Sequence, residues 1–189
     1  MSNVVSALSG KAYTGDVSVK DAGLHGMITL RGDFMDENVG AAVQHFVGVD
    51  LPDALQASVG EDGRAALWMS PDEVLLLVPY EQAATLATEM TQAFGDTHAL
   101  AANVSDARAV FELSGPFAAE VLAKVAPIDM ASSAFMPGMV RRTRIAQVPA
   151  AFWISGEDTF TIVCFRSVAD YVFEVLETSA KAGAVGALK

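Results

Sequence analysis

The stretch Ala65-Ala66-Leu67-Trp68-Met69-Ser70-Pro71-Asp72-Glu73-Val74-Leu75-Leu76-Leu77-Val78 decides the fold. Apolar residues run up to a four-residue turn and resume directly after it. Proline at the second position of Ser70-Pro71-Asp72-Glu73 suits a type I turn, so the two runs fold back on one another as a hairpin. Upstream, Met27-Ile28-Thr29-Leu30 reads as a short strand and Arg31-Gly32-Asp33 as its exit. Asp36 is placed to cap a helix whose apolar residues Val39, Val43, Phe46 and Val47 share one face. Downstream, Ala83, Leu86, Ala87, Met90 and Phe94 mark a second helical face, which Gly95 closes. The order is strand, helix, hairpin, helix.

The second half of the chain repeats it. Arg108-Ala109-Val110-Phe111-Glu112-Leu113 reads as a strand, and Leu113-Ser114-Gly115 stands where Leu30-Arg31-Gly32 stood. Pro116 suits a first helical position, with Phe117, Val121, Leu122 and Val125 as the buried face. Ile128-Asp129-Met130 echoes Val49-Asp50-Leu51. The hairpin returns as Ala151-Phe152-Trp153-Ile154-Ser155, the turn Gly156-Glu157-Asp158, and a strand from Thr159 to Phe165. An offset of 85 residues lays Trp153 on Trp68. A last helix is expected from a Ser167 cap, burying Val168, Tyr171, Val172, Val175 and Leu176. The fold expected is therefore α+β, with two tandem split-βαβ (ferredoxin-like) lobes over 26–103 and 104–180. An aperiodic arm covers 1–25, and a flexible small-residue tail covers 181–189.

Composition narrows what such a chain does. Counting the 15 Gly in and the 3 Tyr out brings the apolar share of the 189 residues to about 58%, against about 45–50% for ordinary domains. The surplus fits a surface that a partner covers. A net charge of −11 argues against a nucleic-acid phosphate backbone as ligand. The apolar run Val74 to Val78 ends at Pro79, far short of a membrane span. The N-terminus shows no basic leader before an apolar stretch, and the single cysteine, Cys164, cannot form an internal disulfide; a cytoplasmic location is expected.

Candidate chemistry is sparse. His25, His45 and His98 have no ligand-pair spacing, so no metal site is expected. Cys164 ends an apolar strand, where burial as a small hydrophobe is the ordinary role, though Arg166 is near in sequence. Neither Leu30-Arg31-Gly32-Asp33 nor Leu113-Ser114-Gly115-Pro116 has the spaced glycines of a dinucleotide site or the Lys-Ser or Lys-Thr pair of a phosphate loop, and both read as helix-start turns. Asp72, Glu73, Glu157 and Asp158 are expected as exposed turn carboxylates of ordinary proton affinity. Arg141, Arg142 and Arg144 place three of 12 basic residues within four positions of one strand, with Arg142 and Arg144 on one face and Arg141 on the other. They either guard an edge strand or dock onto an acidic partner surface or an anion.

Several blocks together resemble a known family: Leu67-Trp68-Met69-Ser70-Pro71-Asp72-Glu73-Val74-Leu75-Leu76, then Val104-Ser105-Asp106-Ala107-Arg108, then Leu113-Ser114-Gly115-Pro116, then Phe165-Arg166-Ser167-Val168-Ala169-Asp170-Tyr171. From about Ala65 to Leu176 the chain resembles the gamma subunit of heterotetrameric sarcosine oxidase, with Val74 standing where an aromatic often follows the Asp-Glu pair. The resemblance implies a fold similar to the folate-binding domain of aminomethyltransferases. It also implies a complex that demethylates sarcosine oxidatively to glycine, forming hydrogen peroxide and either formaldehyde or methylene-tetrahydrofolate. Its partners would be the alpha, beta and delta subunits, and these would carry the flavins, NAD, folate and zinc. No catalytic, cofactor-binding or metal-binding residue passes to this chain. The rival expectation is a stand-alone folate-binding or aminomethyltransferase-like protein, for which Asp50 and Asp129, at equivalent places in the two units, are the symmetric pterin-holding candidates.

Overall fold

The structure is a computed structural model and describes residues 4–184 and 186. The expected flexible tail thus lies partly outside the described residues. In chain order the elements are β1 (Ala12–Tyr13), β2 (Ser18–Asp21), β3 (Gly26–Gly32), α1 (Glu37–Val47), β4 (Ala57–Val59), β5 (Ala65–Ser70), β6 (Glu73–Val78), α2 (Ala83–Phe94), β7 (Ala99–Asn103), β8 (Arg108–Ser114), α3 (Ala118–Ala123), β9 (Val140–Ile145), β10 (Val148–Gly156), β11 (Thr159–Phe165) and α4 (Ala169–Lys181). They divide into two compact units. Residues 25–105 form one; the chain up to Leu24 and the chain from Asp106 form the other.

In the 25–105 unit the sheet order is β4-β5-β6-β3-β7, with antiparallel neighbours throughout. Setting aside the short β4, this is the split βαβ arrangement. α1 and α2 cover one sheet face, where Ile28, Leu30, Ala66, Val74 and Leu76 meet Val39, Val43, Ala87 and Met90 in one core. Both helix ends of α1 are sealed locally. Asp36 Oδ1 accepts from the Asn38 N–H at 2.9 Å, and Gly48, at φ 79°, returns its N–H to the carbonyls of Val43 and Gln44. A cap of the Asp36 kind is worth about 1 kcal/mol.

The other unit has the sheet order β1-β2-β8-β11-β10-β9, again antiparallel. Here β8, β10 and β11 occupy the places of β3, β5 and β6. The place of β7 goes to β2, which comes from the opposite end of the chain. Leu113 pairs with Val19 as Leu30 pairs with Ala101. The stretch read from sequence as an arm therefore carries two strands of this sheet, and the lobe is a permuted version of its counterpart. The reason is visible in the chain order. α4 is its last helix, no described strand follows it, and without β2 the apolar edge of β8 would stand open. Val17 and Val19 bury with Phe111, Phe152, Phe173 and Leu176 in a single core. Truncating any of the three phenylalanines to alanine would cost about 3–5 kcal/mol.

Three details of the sequence reading shift. Residues Arg166–Val168 form a 3-10 turn, so α4 starts at Ala169 with Val168 before it, and Ser167 makes no cap hydrogen bond. The buried face advances accordingly to Ala169, Val172, Phe173, Leu176 and Ala180, leaving Tyr171 exposed; Phe173 has no hydroxyl to keep wet. Phe117 precedes α3 instead of lying within it and is 40% exposed, while Ala118 takes the inward position. Finally, each hairpin has a bulge before its turn, between Trp68 and Ser70 in one and between Ile154 and Gly156 in the other. The bulges match Trp68 with Ile154, one residue from the offset of 85. A one-residue slip exchanges the two sheet faces: Trp153 is buried on the face of Ala151, whereas Trp68 is half-buried on the face of Ala66.

Candidate functional site

The histidines do not gather. His25 is half-buried ahead of β3, His45 is exposed on α1 with its ring edge-on to Phe46 at 4.7 Å, and His98 is exposed before β7. Among the described residues no group of three or more His, Cys, Asp or Glu is placed to hold a metal ion. Cys164 is buried in β11 between Ala109 and Ala150 on its neighbours. Burial pushes its thiol up to about 12 despite the opposing charge of Arg108, so at neutral pH it stays protonated and unreactive.

The two glycine turns are filled from within. At Gly115, φ is +134°, and an added Cβ would lie 2.2 Å from the carbonyl oxygen of Asp16. That carbonyl, on the segment leading into β2, stands where an anion would have to approach. At the other turn, Arg31 forms an exposed ion pair with Asp72 at 2.8 Å. Asp72 also accepts from the Ser70 hydroxyl at 2.6 Å. The Ser70 bond first, then Arg31, hold this carboxyl below its ordinary range, which corrects the expectation of an unshifted turn acid. Glu157, Asp158, Asp50 and Asp129 are all exposed. Asp129 Oδ1 accepts from the Ala131 N–H at 2.9 Å and so shapes its own loop.

One cluster escaped the sequence reading. Asp21, at the end of β2, is 2% exposed. Its Oδ2 accepts from the Ser6 hydroxyl at 2.6 Å and from the N–H groups of Leu8 and Gly10 at 3.0 Å each; Oδ1 accepts from the Gly23 N–H at 3.2 Å. Burial alone would raise this carboxyl, but the bonds from Ser6, Gly10, Gly23 and Leu8 together outweigh it and leave the group lowered. Arg166 adds a second tie by donating to the carbonyls of Val5 at 2.9 Å and Ser6 at 3.3 Å. The signal in sequence was the alternation Val17, Val19, Asp21, which puts a carboxylate on the apolar face of a strand. The arrangement ties the segment from Val5 to Gly10 to the end of β2 and to Arg166.

The arginine strand is β9, the last strand of the six-stranded sheet. Arg141 lies opposite Phe152 on the helix-covered face, and Arg142 and Arg144 lie opposite Ala151 and Pro149 on the other. Arg141 is half-buried and committed. Its guanidinium donates to the carbonyls of Val140 at 3.0 Å and Ala134 at 3.1 Å and stands 5.1 Å from the Phe135 ring centroid. Arg142 and Arg144 are exposed. No described helix is long and apolar enough to cross a membrane.

The chain is thus an α+β protein of two split-βαβ lobes, one of them permuted. Comparison with known proteins assigns the family. Residues 31–182 match the model of the sarcosine oxidase, gamma subunit family, and the chain belongs to that family. It is 37% identical over 132 residues to the sarcosine oxidase subunit gamma of Corynebacterium sp. (strain P-1), a match covering 69% of this chain and 64% of that one. With the Arthrobacter sp. subunit gamma it shares 34% identity over 124 residues, covering 65% and 60%. The aligned stretch thus spans about two thirds or less of these relatives' own length. Among solved structures, a chain of heterotetrameric sarcosine oxidase from Corynebacterium sp. U-96 superposes with a TM-score of 0.81 at 26% identity, over 93% of this chain and 90% of that one. Aminomethyltransferase T of the Bartonella henselae glycine cleavage system superposes with a TM-score of 0.61 at 19% identity, over 80% and 43%. The second likeness shows a shared fold.

Proposed function

We propose that this chain is the non-catalytic gamma subunit of a sarcosine oxidase complex, in which alpha, beta and delta chains demethylate sarcosine to glycine. In this reading the oxidation forms hydrogen peroxide, and the flavins that would supply the redox chemistry belong to the partner subunits. The one-carbon unit departs as formaldehyde or as methylene-tetrahydrofolate, and NAD, folate and zinc also belong to the partners. The observation that carries the reading is the superposition over 93% of the chain on a chain of the Corynebacterium oxidase. The arginine edge, Arg141, Arg142 and Arg144, is proposed as part of the surface that meets a partner, and the assembly is placed in the cytoplasm.

Co-expression with the alpha, beta and delta chains tests it. The expected result is a stoichiometric complex that retains this chain through size-exclusion chromatography and forms peroxide on addition of sarcosine. A chain that stays monomeric in their presence refutes the proposal. The aminomethyltransferase-like fold supports one rival, stand-alone folate binding; titration calorimetry of the isolated chain with tetrahydrofolate is expected to give no binding heat, and micromolar affinity there would favour the rival.

A further inference from the structure

We propose that the groove between α3 and α4 receives an amphipathic helix of a partner subunit, with Lys or Arg flanking its apolar stripe; this rests on the subunit reading.

Unequal helix lengths open the groove. α3 has six residues and α4 thirteen, about 9 Å against about 20 Å at the usual rise per residue. Their counterparts α1 and α2 run to 11 and 12 residues and so match in length. α3 therefore covers less than half of α4. Past its end a groove of about 400 Å³ lies between Lys124 and Val125 on one side and α4 on the other. Ser179, which lines it, donates its buried hydroxyl to the Val121 carbonyl at 2.9 Å and ties the two helices together.

α4 carries two stripes. Ala169, Val172, Phe173, Leu176 and Ala180 face the core. Tyr171, Val175, Thr178 and Ala182 line the groove instead. Their steps of four, three and four residues keep them on one helical face and are the seam spacing of one helix packed on another. Tyr171 is 43% exposed, and Thr178 and Ala182 are exposed as well.

Charge selects the occupant. Asp170 and Glu174 stand one turn apart beside this seam, and among the described residues neither forms an ion pair. The nearby cations are engaged elsewhere. Lys181 pairs with Glu177 at 2.7 Å, and Lys124 donates to the carbonyls of Ser179 at 3.0 Å and of Gly183. An apolar seam with an acidic flank fits a helix with a basic flank, whose cations would meet Asp170 and Glu174 as flanking charges do in paired helices. A second copy of this chain fits poorly: its α4 would bring the same acidic flank, on a chain that also has a net charge of −11.

The experiment uses the complex assembled with the alpha, beta and delta chains. It compares the wild type with Glu174→Lys, Thr178→Trp, Thr178→Cys and Glu89→Lys, the last being an exposed acid on α2 that controls for net charge. Circular dichroism of each free variant checks folding. The dissociation rate of this chain is measured at low and high salt. Maleimide labelling of Thr178→Cys is followed in the free chain and in the complex, Cys164 being buried. Release is expected to be faster by about tenfold or more for Glu174→Lys and Thr178→Trp, with Glu89→Lys like the wild type. The rate should rise with salt in the wild type but hardly in Glu174→Lys, and assembly should slow labelling by about tenfold or more. Labelling of the complex at the free-chain rate overturns the proposal, as does release of Glu174→Lys at the rate of Glu89→Lys. Slower release of Glu174→Lys would mean an acidic partner, and labelling that slows in the free chain as its concentration rises would mean a second copy; either result also overturns it. If the wild type fails to assemble, the subunit reading falls and the proposal with it. That outcome is distinct from an assembled complex indifferent to Glu174 and Thr178.

Discussion

The carbonyl oxygen of Asp16 lies 2.2 Å from the point that a Cβ on Gly115 would occupy, with Val17 Cα at 3.0 Å. The turn that opens α3 is therefore closed by the backbone leading into β2, and glycine is required there for both space and a φ of +134°. Gly115→Ala is expected to destabilise the chain by about 2–4 kcal/mol in urea unfolding, combining backbone strain with a backbone clash. Gly48→Ala is the control, since φ is +79° but nothing lies within 4 Å of its added Cβ; its cost should stay near 1 kcal/mol. Equal costs for the two would show that the N-terminal segment does not pack on the turn.

Asp21 links the same segment to acid stability. Its carboxyl is lowered from 3.8 in the folded chain, so its contribution is complete above the unfolded value and is lost as pH falls through the folded one. Below about pH 4 the wild type should lose stability more steeply than Asp21→Asn. At pH 7 that variant should be weaker by about 1–3 kcal/mol, because four donors share an acceptor that has lost its charge and one of its oxygens. Parallel acid unfolding curves for the two proteins would contradict this.

Cys164 provides a reactivity test. With its thiol raised to about 12, alkylation by iodoacetamide at pH 8 should be negligible in the native chain and rapid in denaturant. Modification of the native chain at the rate of a free thiol would mean that β11 opens readily.

The hairpin register predicts different surroundings for the two tryptophans. Trp153 is 7% exposed and Trp68 half-buried. Trp68→Phe should leave blue-shifted emission that acrylamide quenches weakly, and Trp153→Phe should leave redder, more quenchable emission. Identical spectra would restore the simple offset of 85.

Local chemistry was legible in the sequence. The hairpin around Ser70-Pro71, the Asp36 cap, the Gly95 stop, and the apolar faces of α1 and α2 each depend on residues a few positions apart, whose preferences act within a turn or two of chain. Because the strand, helix, hairpin, helix order is written in such signals, the doubled α+β pattern followed, and four sequence blocks carried the family resemblance. The start and phase of α4 were harder. A 3-10 turn at Arg166–Val168 rotates the helix by a residue, and only competition for the core shows that Phe173 goes inward and Tyr171 outward.

What the tertiary structure alone decided was where each face and each end goes. The order of residues does not say that β2 fills the slot beside β8, because that pairing joins Val19 to Leu113 across most of the chain and has no local signature. The same holds for Asp21, an ordinary acid in sequence that four donors from Ser6 to Gly23 make a buried anchor, and for Arg141, separated from Arg142 by what Phe135 and Ala134 offer it. The sequence by itself determined the strand, helix, hairpin, helix order and its doubling, since those arise from short-range preferences. The structure decided the permuted sheet and the split of the arginines, since those depend on burial and hydrogen bonds that exist only once distant segments have met.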